Sequence, residues 1–403
     1  MKNRDVIENL SKEYDSFYLY DQKTIKESMA CLQGYFPQVN FLYSMKCNPH
    51  PQVLKSILGG GFGADAASLG EVLKAEGCGL EKDQIYYSAP GKMPKDIEIA
   101  LDKAIIIADS IDELYRIDTI AKEKGIIAKV GIRVNPNFTL DSDTCAFNKF
   151  GIDQDQVVAF LEEKPCKNLR ITGLHVHLKS QELRTEALMG YHQNVFQMIE
   201  AVAPWCDALD YVNFGSGIGV TYNLENEAVD LSKLSQNFKS LQDQLQKVYP
   251  ETKIMIETGR FLTCKAGVYV TKVIDRKVSC GKNILILRST MNGFVRPSMD
   301  QIFSNYGKTE EHLTPVEPFY TCKDAFQFET LKEDQERESV TIFGNLCAGI
   351  DAIARDIQMP HLEFGDVVII NNAGAYAAVI TPMQFSSQEP PAELFLAEDG
   401  TVI

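Results

Sequence analysis

The stretch Phe41-Leu42-Tyr43-Ser44-Met45-Lys46-Cys47-Asn48 sets the reading of this chain: a short apolar run with the pattern of a buried strand, closing on a lysine. A lysine held where a strand gives way to a loop can lose part of its hydration, which lowers its pKa and frees the neutral amine as a Schiff-base nucleophile. Lysines also close strands simply by reaching for solvent. The rest of the chain separates the two readings.

Strand-like runs recur at residues 41–46, 62–67, 84–89, 104–109, 129–135, 171–178, 211–215 and 254–257. Between them, as in 111–124 and 231–248, apolar residues return every three or four positions, the helical period. Eight βα units in succession predict a closed parallel (β/α)8 barrel, with an open doubly wound sheet as the alternative. Catalytic groups of such barrels collect at the carboxyl ends of the strands, which is where Lys46, Asp65, Ser88, Asp109, Asn135, His177, the glycines of 215–219, Glu257 and Arg260 fall. After about residue 265 the pattern changes to β-branched alternation without long helices (268–275, 283–287, 339–343, 367–371, 392–396), predicting an all-β domain. The acidic, lysine-rich segment 325–338 reads as a solvated loop or hairpin.

With 403 residues and 45% hydrophobic content, the chain exceeds what one core usually supports. A net charge of -15 argues against a nucleic-acid backbone or an anionic membrane surface as partner. No long apolar run follows Met1-Lys2-Asn3-Arg4-Asp5 and no stretch is long enough for a membrane span, so a cytoplasmic protein is expected. The ten cysteines form no CxxC pair and meet no histidine cluster; neither a metal nor a disulfide framework is signalled, and most are expected to be buried reduced thiols.

Three motifs carry chemistry. Asn213-Phe214-Gly215-Ser216-Gly217-Ile218-Gly219 follows the seventh strand, and closely spaced glycines let backbone N–H groups approach a phosphate. The similar run Gly59-Gly60-Gly61-Phe62-Gly63 reads as a flexible turn. Glu257-Thr258-Gly259-Arg260 closes the eighth strand; a carboxylate against a pyridine nitrogen keeps it protonated and improves its capacity as an electron sink, while the arginine can reach a phosphate or carboxylate, or the motif is a surface ion pair. His175-Val176-His177 places two imidazoles on one face of the sixth strand, one to stack on a cofactor ring and one to be satisfied in the core, with no third ligand for a metal.

These residues, together with Gly63-Ala64-Asp65-Ala66-Ala67-Ser68-Leu69-Gly70-Glu71, Asn148-Lys149-Phe150-Gly151-Ile152, Ser180, Cys347 with Asp351, and Gly374-Ala375-Tyr376, resemble in order and over nearly the whole length the ornithine/diaminopimelate/arginine decarboxylase family, the fold-type III (alanine racemase-like) pyridoxal phosphate enzymes. The resemblance implies a barrel over residues 33–265, a C-terminal β-sandwich or β-barrel domain over 266–403 joined by residues 1–32, and a head-to-tail homodimer with sites at the interface. It further implies pyridoxal 5'-phosphate on Lys46, Asp65 beside it, His177 on the ring and Glu257 on the pyridine nitrogen. Ser180, Gly215, Gly217, Gly259, Arg260 and Tyr376 would serve the phosphate or the substrate carboxylate, with Arg296, Asp300 and Asp351 also facing substrate. Cys347 would protonate Cα after carbon dioxide leaves, an acid of suitable pKa, although a buried structural cysteine is the plainer reading of the residue alone.

Departures from the family narrow the substrate. The acidic residue after the cysteine, which meets a distal amino group, is here Ala348. Arg296-Pro297 fits the diaminopimelate branch, yet Asp300 stands where that branch has tyrosine and Gln301 where an aspartate is usual; Asp300 could supply a displaced carboxylate. Lys179 and Arg288 replace a glycine and an aspartate and add positive charge. An ammonium without a carboxylate partner is costly, so a modified or conjugated amino acid, of siderophore or antibiotic type, is expected rather than free diaminopimelate, lysine or ornithine. A racemase of the same fold would present arginine where Glu257 stands, and a non-catalytic homologue would lack the lysine or the phosphate cradle.

Overall fold

The computed structural model describes residues 3–215, 217–223, 226–306 (304–306 by backbone alone), 319, 322, 324–332 and 336–403. Ser216 of the glycine turn and residues 333–335 of the charged segment therefore lie outside the described residues.

Eight parallel strands form a closed barrel: β1 (Asn40–Ser44), β2 (Gly63–Ala66), β3 (Ile85–Ser88), β4 (Ile105–Ala108), β5 (Ala128–Asn135), β6 (Leu169–His175), β7 (Tyr211–Asn213) and β8 (Lys253–Thr258), each paired with the next and β8 with β1. Helices fill the connections, among them Leu69–Gly77, Ile111–Glu123 and Leu231–Val248. Each begins on a side chain that takes up an end N–H: Ser68 accepts from Glu71, Ser110 from Glu113 and Asp230 from Lys233. Glu71 also accepts from the Ala67 N–H at 2.7 Å, so Ser68 and Glu71 of the Gly63–Glu71 motif build a reciprocal cap.

Side chains of Leu42, Tyr86, Ile107, Tyr211 and Met255 pack together inside the barrel. Tyr211 lies where two glycines leave room: a Cβ on Gly131 would meet its hydroxyl at 2.0 Å, and one on Gly173 its ring at 2.0 Å. This packing closes the floor and leaves the opposite end, where the strands finish, for polar groups.

The first strand is shorter than the sequence pattern suggests. It ends on Ser44, and Met45–Cys47 form one 3-10 turn, after which the Asn48 carbonyl accepts from the Tyr43 hydroxyl at 2.9 Å. Lys46 therefore projects from a turn and not from a strand.

Beyond the barrel, an eight-stranded mixed sheet centres on Gly267–Ser279, which pairs with Phe17–Asp21, Val367–Ile370 and Lys282–Leu287. Lys282–Leu287 runs parallel to Arg337–Gly344, which pairs with Ala352–Pro360, and Phe17–Asp21 runs parallel to Ala392–Leu396. Ile7, Phe17, Leu19, Val270, Ile369 and Leu394 form part of its core. Two details correct the sequence reading: a 12-residue helix, Val295–Tyr306, interrupts the β pattern, and 325–338 contains a strand, Phe328–Thr330.

The chain divides into two compact units, 26–220 with 227–261, and 1–25 with 221–226 and 262–403. Helix Gln22–Tyr35 runs on past residue 25, and Tyr222 is held in the β unit by Asn372 and Arg296.

Candidate active site

The carboxyl end of the barrel is built around two buried acids on strands that flank or adjoin β1. In register, Asp65 on β2 stands opposite Ser44 and Glu257 on β8 opposite Leu42. Asp65 accepts from the Ser44 hydroxyl at 2.9 Å and from Ser88 at the end of β3. Burial raises its carboxyl and the Glu257 charge adds to the rise, while Lys46 and the Ser88 hydroxyl oppose it.

Glu257 is 3% exposed. One oxygen lies 2.8 Å from His175 Nε2 and 2.9 Å from the Asn213 amide, the other 3.4 Å from His177 Nδ1. Burial works against its charge, but His175, with further help from His177 and Lys46, outweighs burial and holds the carboxyl below the ordinary range. Both imidazoles thus reach Glu257, although β6 ends at His175 and His177 lies beyond it. His175 is buried, whereas His177 is partly open, and its Nε2 is 3.2 Å from the Ser180 hydroxyl. Burial pushes His177 down to about 3 against the pull of Glu257, leaving a neutral imidazole at pH 7.

Lys46 departs from expectation in one respect: it is exposed, so the chain alone does not desolvate it. Its charge nevertheless reaches three carboxyls, those of Asp65, Glu71 and Glu257. Gly259 lets the β8 turn close on this segment, since a Cβ there would meet Cys47 Cβ at 3.0 Å. Arg260, 6% exposed, opens the short helix Arg260–Thr263.

The glycine turn has a packing reason besides the one its pattern suggests. Gly215 has φ +68° and a Cβ there would sit 2.3 Å from the Val176 carbonyl; at Gly217 and Gly219 it would strike Leu188 at 2.7 Å and the Glu182 carbonyl at 2.7 Å. The Gly215 amide donates to Asn213 Oδ1 at 2.8 Å and the Gly219 amide to the Glu182 carbonyl at 2.9 Å. These glycines seat the turn against segment 176–182, and the Gly215 amide is spent inside the protein.

The remaining site residues belong to the β unit. Arg296 is 2% exposed, and its Nη1 donates at 3.1 Å to both the Tyr222 hydroxyl and the Ala375 carbonyl, with its guanidinium over the Tyr222 and Phe326 rings. It grips the Gly374-Ala375-Tyr376 turn through the Ala375 carbonyl. Tyr376, 9% exposed, has φ +47°, a strained conformation for a non-glycine residue. Asp300 is half-buried on helix Val295–Tyr306. Asp351 is 1% exposed and accepts from the Thr290 hydroxyl and the Met291 and Leu346 amides. Cys347 is exposed, which disposes of the buried structural reading.

More widely, none of the ten cysteines forms a disulfide, but only Cys47 and Cys264 are buried, contrary to expectation. Nor do the two substituted cations stand alone. Lys179 pairs with Glu182 at 2.9 Å, and Arg288 lies 3.7 Å from Glu389. Burial would raise the Glu182 carboxyl, yet hydrogen bonds from Arg184 and Lys179 hold it down to about 2.

One residue escaped the sequence reading. Arg133, 8% exposed on β5, donates to the His177 carbonyl at 3.2 Å and lies 4.4 Å from the Phe150 ring centre. An arginine inside an otherwise apolar strand, in phase with Asn135, was the available signal. The Asn148–Ile152 motif packs here: a Cβ on Gly151, at φ +81°, would lie 2.8 Å from the Asn135 amide.

Among the described residues no cluster of histidine, cysteine and acids could hold a metal, and no helix is long and apolar enough to cross a membrane. An ionised acid beside two imidazoles, with a lysine at the same end of a parallel barrel, is the polar centre of an α/β-barrel enzyme. The family description "pyridoxal-dependent decarboxylase, pyridoxal binding domain" matches residues 22–264, and the chain belongs to this family of carboxy-lyases. It is similar to the L-glutamyl-[BtrI acyl-carrier protein] decarboxylase of Niallia circulans (29% identity; 96% of this chain, 90% of the relative) and to the diaminopimelate decarboxylase of Helicobacter pylori strain J99 (30%; 97% and 93%). The crystal structure of diaminopimelate decarboxylase from Helicobacter pylori complexed with L-lysine superposes with a TM-score of 0.80 at 27% identity, covering 96% of this chain and 92% of that one.

Proposed function

We propose that this enzyme removes the α-carboxylate of an amino acid whose distal end is conjugated and uncharged, such as a glutamyl thioester on a carrier protein, and not of a free diamine precursor. The observation that carries this reading is the tip of the cysteine loop. Cys347 and its neighbours Ala348, Gly349 and Ile350 contain no acid that could meet a distal ammonium. The similarity to an acyl-carrier-protein decarboxylase supports it. Because Lys179 and Arg288 are offset by Glu182 and Glu389, their positive charge does not call for an anionic distal end. Diaminopimelate or lysine/ornithine decarboxylation is the second reading, favoured by the Helicobacter relative and by Arg296-Pro297.

The residues fit pyridoxal 5'-phosphate. Glu257 is an ionised, acceptor-only group of the kind a pyridinium N–H needs, and His177 is neutral and partly open, suited to lie against a ring. We assign Lys46 to the aldehyde, Asp65 to the lysine's charge, and Ser180, Gly217, Gly259, Arg260 and Tyr376 to the phosphate or the substrate carboxylate. Bound there, the cofactor supplies a sink for the electron pair left on Cα when carbon dioxide departs. Glu257 maintains the positive charge of that sink, Arg133 and Ser180 orient His177, and Cys347, delivered by a second copy in a head-to-tail homodimer, returns a proton to Cα. A cytoplasmic setting suits reduced thiols.

Purified enzyme loaded with cofactor, offered a carrier-bound or amide-linked glutamate alongside free meso-diaminopimelate, L-lysine and L-ornithine, is expected to release carbon dioxide from the conjugate. Rapid release from the free amino acids with none from conjugates overturns the assignment.

A further inference from the structure

Asp351 sits at the base of the loop that carries Cys347, and every group facing it is a donor. Its Oδ1 accepts from the Thr290 hydroxyl and from the Met291 N–H at 3.0 Å; its Oδ2 accepts from the Leu346 N–H, the residue before the cysteine, at 3.0 Å. Its backbone closes the same loop, the carbonyl accepting from Gly344 at 2.9 Å and the amide donating to Ala348 at 3.1 Å. Gly344 has to be glycine for this to fit, since a Cβ there would fall 2.2 Å from Asp351 Oδ2 and 1.5 Å from Thr290 Oγ1. Burial raises the carboxyl, and the groups that oppose the rise are Thr290 and the two amides, none of them a cation.

A buried carboxylate with no cation is an expensive way to tie a loop if an amide would serve. An amide does not serve here, because with three donors converging an asparagine would turn its NH2 on one of them. We infer that Asp351, with Thr290, is a positioning residue: it fixes the Leu346 amide and so aims the exposed Cys347 thiol at the atom it protonates. The reaction assigned to Cys347 rests on the function proposed above. The bracing of the loop does not.

Two readouts test this in full-length Asp351→Asn and Thr290→Val. The first needs no cofactor: amide exchange in a peptide spanning 344–351 should accelerate about tenfold or more in Asp351→Asn, the worth of one hydrogen bond to a charged acceptor, and less in Thr290→Val. The second is product partition in the loaded enzyme. A proton delivered to the cofactor's aldehyde carbon instead of Cα, followed by addition of water, releases a carbonyl compound and pyridoxamine phosphate in place of the amine. That fraction should rise in both variants while KM and bound cofactor stay as in the wild type. Unchanged exchange overturns the bracing, and faster exchange with unchanged partition overturns the aiming of Cys347. If Asp351→Asn does not fold, Thr290→Val carries both readings. A wild-type enzyme that releases no carbon dioxide from any amino acid would sink the proposed function while the exchange result still decides the bracing.

Discussion

Glu257 and Asp351 are both acids buried to within a few per cent, yet their surroundings shift the two carboxyls in opposite directions. Glu257, in the barrel, faces two imidazoles and the Lys46 charge and is kept below the ordinary carboxylate range. Asp351, in the β unit, faces only neutral N–H and O–H donors, and burial lifts it. A carboxyl in equal isolation from water is pulled down by cationic neighbours or lifted by burial among neutral donors; what surrounds it decides. The first arrangement suits a partner that must stay cationic, the second a loop that must stay put.

The largest effect expected at the charged end of this comparison comes from Lys46→Ala, which should abolish carbon dioxide release and leave nothing for borohydride to trap at position 46; residual turnover near the wild-type rate would remove the lysine from the chemistry. Glu257→Gln keeps the shape and deletes the charge, and kcat should fall by about 10²–10³-fold, the scale of losing one preorganised electrostatic contact. The same pair of proteins gives a pH signature. Because the folded carboxyl of Glu257 lies below its unfolded value of about 4.3, its contribution to stability is complete above that pH and drains away as the pH falls below it. The gap in melting temperature between wild type and Glu257→Gln should therefore be widest near neutrality and narrow in acid; a gap that grew on acidification would mean that Glu257 is not held ionised. The smallest effect is expected at Glu182, whose exposed cations are screened by solvent and salt. Glu182→Gln should lower the melting temperature slightly at pH 7, less in high salt, and not at all once the pH approaches about 2, where the wild-type carboxyl protonates.

Much of the barrel was legible because its signals are local. Eight apolar runs alternate with helical periods, and the strand ends bear Lys46, Asp65, Ser88 and Glu257, which the structure gathers at one rim. Less legible was the packing of residues whose partners are remote in the chain. The glycines at 215, 217 and 219 follow a phosphate-binding spacing, and the carbonyl and side-chain crowd of 176–188 requires them as well. Arg296 and Asp351 are polar residues beside other family motifs, and no pattern in 290–300 or 344–351 announces that one is clamped by Tyr222 and the other by Thr290. Helix Val295–Tyr306 was hidden in the same way, in a stretch otherwise dominated by β-branched alternation.

By itself the sequence determined the βα alternation, the lysine after the first strand and the acid after the eighth, because hydrophobic period and side-chain chemistry are properties of neighbours along the chain. Only the tertiary structure decided which charges stand alone. Pairings such as Glu257 with His175, Lys179 with Glu182 and Asp351 with the Leu346 amide depend on distances set by register and packing, and a charge's environment is fixed by those distances and not by its place in the sequence.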